Sequence, residues 1–167
     1  MSITSFNVPS GDSRRKVTTL SIQEKKASLP HRVSPNHAGE RITCLTAYDY
    51  ATARLVDEAG IDMVLVGDSL SMVVLGLDNT MSVTVDEMLH HTRAVRRAVK
   101  SALLIADMPY GSYQHDDKEA VKNAVRFMKE SGAEAVKLEG GQNRVDLIKR
   151  MLDAEIPVMG QDRKSVV

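Results

Sequence analysis

Tryptophan is absent from this 167-residue sequence, and cysteine occurs once, at Cys44. A lone thiol excludes an internal disulfide and any site built from several thiolates, such as a structural zinc or an iron–sulfur cluster. Charge of either sign is in no excess, 22 Lys and Arg standing against 22 Asp and Glu. That balance argues against nucleic acid or an anionic membrane as a principal partner, since both select a basic face. No apolar run approaches the roughly 20 residues that span a bilayer. P-loop, G-x-G-x-x-G and G-x-S-x-G motifs are missing as well. What remains is 43 % apolar residues, enough for one globular core. The expectation is a cytoplasmic protein.

Residues 1–40 are rich in Ser, Thr and Pro and lack apolar periodicity, which predicts a mobile leader. A transit peptide is the rival reading, weakened by Asp12, Glu24 and the want of an amphipathic helix. From Arg41 onward, short apolar runs alternate with longer amphipathic segments. The runs Ile42–Ala47, Met63–Val66, Ala102–Ala106, Ala135–Leu138 and Ile156–Met159 have strand length. Most are apolar on successive residues, as strands covered on both faces require.

Between them, helical spacing predicts Tyr50–Ala59, Thr84–Val99, Asp116–Ser131 and Asn143–Ala154. Thr84 with Glu87 forms a capping-box pattern, and Gly132 is placed to stop the third helix. Strict β-α alternation implies a parallel sheet with right-handed crossovers. An open doubly wound sheet and a (β/α)8 barrel both satisfy it. A barrel takes about 250 residues, so this chain would hold about half of one.

Three successive strands end in acidic residues: Asp68 after the second, Asp107 after the third, Glu139 after the fourth. In parallel α/β proteins that end of the sheet binds ligands. Carboxylates gathered there repel one another unless a cation lies between them. Oxygen donors alone point to Mg²⁺ or another hard ion. Lys137, two residues before Glu139, shares its strand face and favours an anionic substrate or a developing enolate. Taken singly, each Asp is explained as a cap or turn former; three in succession with a lysine in register are not.

Other candidates carry less. The adjacent His90 and His91 cannot form an i,i+4 metal pair, and His31, His37 and His115 lack ligand spacing. Cys44 reads as a small core residue. Arg93, Arg96, Arg97 and Lys100 form a basic helix face, expected to be solvated. Tyr48 either lines the site or packs.

The segments Leu45–Tyr50 (LTAYDY), Leu65–Ser69 (LVGDS), Thr84–Met88 (TVDEM), Ala106–Tyr113 (ADMPYGSY) and Val136–Gly141 (VKLEGG) resemble, in order, the ketopantoate hydroxymethyltransferase family. Lys16–Ala27 is similar to the short helix that precedes its first strand, followed by an unfamiliar insert before Ala38. The resemblance implies a (β/α)8 barrel that transfers a hydroxymethyl group from 5,10-methylenetetrahydrofolate to 3-methyl-2-oxobutanoate, giving 2-dehydropantoate. It implies Mg²⁺ held by Asp68, Asp107 and Glu139, keto acid held by Asp68, Ser69, Asp107 and Lys137, and a homo-oligomer. The family continues after its fifth strand with His and then Gly-x-x-Pro-Gln-Ser; here Gly160 is followed by Gln161 and a dissimilar tail over 161–167. By that comparison the chain is expected to be C-terminally truncated, its catalytic Glu lying beyond Val167. Residues 41–160 are then a partial-barrel catalytic domain. The alternatives are a Mg²⁺ enzyme of the phosphoenolpyruvate mutase/isocitrate lyase kind and a non-catalytic fragment.

Overall fold

The computed structural model describes residues 42–161. The expected leader, its helix at 16–27, His31, His37 and residues 162–167 of the expected tail lie outside the described residues. Five strands, β1 (Cys44–Thr46), β2 (Met63–Val66), β3 (Leu103–Asp107), β4 (Ala135–Glu139) and β5 (Val158–Gln161), form the sheet. Helices α1 (Tyr50–Glu58), α2 (Leu70–Val73), α3 (Val85–Ala98), α4 (Asp117–Ser131) and α5 (Val145–Asp153) connect them. All pairings are parallel and the strand order is β1-β2-β3-β4-β5. A doubly wound sheet reverses its order at a switch point; this one never does. Strands added side by side in chain order make the wall of a (β/α)8 barrel, which decides between the two architectures.

Local chemistry starts and stops the helices. Asp49 caps α1 by accepting from the Thr52 N–H at 2.9 Å. At α3, Thr84 Oγ1 accepts from the Glu87 N–H at 3.2 Å, while Glu87 Oε2 accepts from the Thr84 N–H at 2.7 Å. Each bond satisfies a backbone donor that has no partner inside the helix. Asp116 caps α4 through the Glu119 N–H at 2.8 Å, and Gly132 ends it at φ +73°. The main core lies between the helices and one face of the sheet. There Val64, Val66, Leu104, Val136 and Leu138 meet Met88, Leu89, Val95, Phe127 and Met151. The opposite sheet face carries a smaller cluster of Met63, Leu65, Leu103, Ile105 and Ala135.

Several expectations need correction. β1 is shorter than Ile42–Ala47, and its side chains are exposed. Among the described residues β1 pairs with β2 alone, and Cys44 is exposed rather than a core residue. β3 and β4 run one residue further than their apolar runs, because Asp107 pairs in register with Lys137 and Glu139 with Gln161. β5 begins at Val158, after Pro157, which has no N–H for the ladder. Residues Gly141–Arg144 form a 3₁₀ turn before α5. The helix α2 and a 3₁₀ turn at Thr80–Ser82 fall in a stretch that the periodicity left unassigned. Arg96 is not simply solvated: it pairs with Glu134 at 3.1 Å and also donates to the Val99 carbonyl. Among the described residues no helix is long and apolar enough to cross a membrane.

Candidate active site

Strand alternation assembles the site. Leu103, Ile105 and Asp107 share one face of β3, and Ala135, Lys137 and Glu139 share the matching face of β4. Toward the C-terminal end of the sheet the apolar residues of this face give way to polar ones. Asp107 and Lys137, directly paired in register, meet as a buried ion pair: Lys137 Nζ lies 2.8 Å from both Asp107 oxygens. Their side chains are 6 % and 7 % exposed, whereas Glu139, whose Oε1 is 3.7 Å from the same ammonium, is 42 % exposed. The expected common face of Lys137 and Glu139 is therefore present.

Asp68 arrives from the loop after β2. Its backbone N–H points to Asp107 Oδ2 at 3.4 Å, and the nearby Thr80 side chain opposes the rise in its carboxyl pKa. Gly67 makes this approach feasible: a Cβ there would stand 3.0 Å from Ser69 Oγ and 3.8 Å from Asp107 Oδ2. Ser69 Oγ and the Tyr48 hydroxyl are 2.8 Å apart, and His91 Nδ1 lies 2.7 Å from the Tyr48 carbonyl oxygen. Tyr48 thus lines the site and His91 props it, while His90 is exposed.

Burial dominates the electrostatics. It pushes the Asp107 carboxyl up to about 6, against the pull of Lys137, with Asp68 adding to the rise. Burial also raises Asp68; Lys137 opposes that shift and Glu139 reinforces it. Three carboxylates face one ammonium, a mismatch that a divalent cation would relieve.

Among the described residues no three carboxylate, imidazole or thiol groups come together as a ready cage for an ion. The donors nearest to that role are Asp68 and Asp107. Two carboxylates suffice for Mg²⁺, which completes its octahedron with water and substrate oxygens. The donor chemistry fits the ion, with Glu139 alongside.

Two participants escape the strand-end argument. The Tyr113 hydroxyl accepts from the Glu139 N–H at 3.2 Å, and Arg144 stacks 5.7 Å over the Tyr113 ring. Tyr113 lies in a loop without periodicity, and its only signal is its place in the ADMPYGSY segment. Thr80 belongs to the 3₁₀ turn, for which no pattern exists in the sequence.

An in-order parallel sheet with its helices on one side and a carboxylate–ammonium cluster at the strand ends defines part of a (β/α)8 barrel with charged groups at its ligand-binding end. Solved structures agree on the fold. Oxaloacetate acetylhydrolase superposes with a TM-score of 0.60 at 18 % identity, covering 76 % of this chain and 50 % of that one. Phosphonopyruvate hydrolase, in a complex with oxalate and Mg²⁺, gives 0.52 at 19 % identity over 60 % of this chain and 34 % of its own. Residues 26–161 match the family described as ketopantoate hydroxymethyltransferase. The chain is 61 % identical over 155 residues to 3-methyl-2-oxobutanoate hydroxymethyltransferase of Koribacter versatilis, covering 93 % of this chain and 49 % of the relative. The enzyme of that name from Syntrophomonas wolfei is 62 % identical over 121 residues, 72 % of this chain and 44 % of the relative. The chain belongs to the ketopantoate hydroxymethyltransferase family, and it spans about half the length of the curated relatives it matches.

Proposed function

We propose that this chain carries the metal-binding and keto-acid-binding part of a hydroxymethyltransferase that moves a one-carbon unit from 5,10-methylenetetrahydrofolate to 3-methyl-2-oxobutanoate, giving 2-dehydropantoate. The observation that carries this reading is the Asp68–Asp107–Lys137–Glu139 cluster at the C-terminal strand ends of a family member. Asp68 and Asp107 are the ligands for Mg²⁺, and Glu139 completes the ion's surroundings. When bound, the ion supplies Lewis acidity toward the 2-oxo acid and so eases loss of its C3 proton. Ser69, oriented by Tyr48 at 2.8 Å, donates a hydrogen bond to the keto acid, and Lys137 balances its carboxylate. Buried carboxylates and a buried ammonium act in a low dielectric, where each charge interaction is stronger than in water. The oxalate and Mg²⁺ of the phosphonopyruvate hydrolase complex support the same ligand chemistry, a carboxylate beside a second carbonyl oxygen.

In this reading the catalytic domain covers 41–160, residues 161–167 depart from the family pattern, and the assembly is homo-oligomeric. Calorimetry tests it: 3-methyl-2-oxobutanoate gives heat only with Mg²⁺ present, and Asp107→Asn abolishes that heat. A wild-type chain that binds the keto acid equally well without the ion contradicts the assignment. Folate-dependent product formation separates this chemistry from that of the phosphoenolpyruvate mutase/isocitrate lyase enzymes. Absence of C3 proton exchange in D₂O leaves a non-catalytic binding chain.

A further inference from the structure

Lys137 is unusual in what it occupies. Its ammonium sits 2.8 Å from both oxygens of Asp107, the side on which a carboxylate offers its strongest acceptor positions. Asp68 is close by: its N–H points to Asp107 Oδ2 at 3.4 Å, and its carboxyl feels the charge of Lys137. A divalent ion bound by Asp68 and Asp107 would share this space with a like charge. A second carboxylate waits within reach, since Glu139 Oε1 is 3.7 Å from Nζ and its side chain is 42 % exposed, free to shift. The four-carbon lysine stem lets an ammonium swing between the two without backbone change. Burial forbids leaving either charge alone.

We infer that Lys137 is an exchangeable counter-ion, holding Asp107 in the cation-free protein and released toward Glu139 when a divalent ion binds, where it becomes the contact for the carboxylate of a 2-oxo acid. This deepens the proposed function and rests on its metal assignment. The exchange makes binding ordered. The ion comes first, and the anionic substrate then finds an ammonium that Asp107 no longer neutralises.

The test uses the full 167-residue wild-type chain with Mg²⁺ alone. Amine acetylation read by mass spectrometry should rise several-fold at Lys137 on adding saturating Mg²⁺, with the exposed Lys129 as an unchanged reference. Unchanged or reduced labelling of Lys137 while calorimetry records Mg²⁺ binding overturns the exchange and leaves the metal assignment standing. No Mg²⁺ binding at all overturns both. In variants, Lys137→Met removes the competing cation. Read in alkaline buffer, where Asp107 is ionised in the variant too, affinity for Mg²⁺ rises about tenfold if the ion-accepting state is about a tenth of the cation-free population. Lys137→Arg, which keeps a charge suited to bidentate pairing, binds the ion more weakly than wild type. Weaker binding to Lys137→Met than to wild type in that alkaline buffer sinks the inference.

Discussion

The Asp107–Lys137 pair offers the sharpest energetic test, because its two halves fail differently when separated. Both side chains are almost fully buried, and their contacts are 2.8 Å. Asp107→Asn strands an ammonium whose nearest remaining carboxylate partner by ion pairing is Glu139 at 3.7 Å, with Asp68 acting on it more weakly. Removing one partner of a buried pair costs about 3–5 kcal/mol; partial rescue by Glu139 places this variant near about 3 kcal/mol. Lys137→Met leaves a carboxyl already pushed up to about 6. At neutral pH that group escapes its predicament by taking a proton, so the loss is smaller, about 1–2 kcal/mol. The double variant strands nothing and should fall within about 1 kcal/mol of wild type, a coupling of roughly 4 kcal/mol. Urea denaturation of the four proteins at pH 7 without divalent cations measures each term. A coupling under about 0.5 kcal/mol means the pair does not exist in solution, and the site geometry built on it is wrong. The pH dependence has a definite sign. Asp107's folded value lies above the ordinary 3.8, so the folded state holds its proton more tightly. That contribution is complete below about 4 and is lost as pH rises through about 6; Asp107→Asn lacks this slope.

Other elements make independent predictions. Asp57 accepts from the Lys100, Ser101 and Ala102 N–H groups at 3.0, 3.0 and 2.8 Å; burial raises its carboxyl, but these three donors outweigh it and hold it below 3.8. Asp57→Asn should cost about 2 kcal/mol in urea at pH 7, and the difference from wild type should shrink as pH falls below about 3.8, where the wild-type carboxylate is neutralised too. Gly132→Ala forces φ +73° on an L-residue and sets a Cβ 2.9 Å from Arg96 Cγ, so thermal melting should report a loss of about 1–2 kcal/mol. Ser69→Ala removes a hydroxyl that Tyr48 orients; keto-acid affinity in the presence of Mg²⁺ should drop roughly fivefold, the worth of one hydrogen bond, with stability little changed.

How much of this could be read in advance depended on the range of the interaction. Capping boxes, the Gly132 stop and the strand-end acids are local or periodic, so Thr84, Asp116, Asp68, Asp107 and Glu139 stand where their neighbours in the chain put them. The strand limits slipped where a polar residue continued an apolar strand. Asp107 and Glu139 look like loop residues until their register partners, Lys137 and Gln161, are known. Cys44 was misplaced because an apolar run does not reveal how much of its strand the neighbouring elements cover. Asp57 left no signal at all: nothing in an amphipathic helix says that one acid will turn inward and fasten a loop 43 residues away.

Sheet order also explains why so much of one site lies in a single stretch of chain. In a wall built in chain order, residues at the ends of β2, β3 and β4 are neighbours in space because their units are neighbours in sequence. Asp68, Asp107, Lys137 and Glu139 therefore need no strand from elsewhere to meet, and Tyr48 reaches Ser69 from β1, the adjacent unit. In a sheet with a reversed order, the same residues would stand on strands separated by others, and no ion could join them. The Asp57 fastening belongs to this design as well. By tying α1 to the turn that leads into β3, it sets the start of the strand whose far end presents Asp107. Disturbing Asp57 should accordingly weaken Mg²⁺ binding along with stability, and a variant that loses about 2 kcal/mol of fold yet binds the ion as tightly as wild type would show that the two ends of β3 are independent.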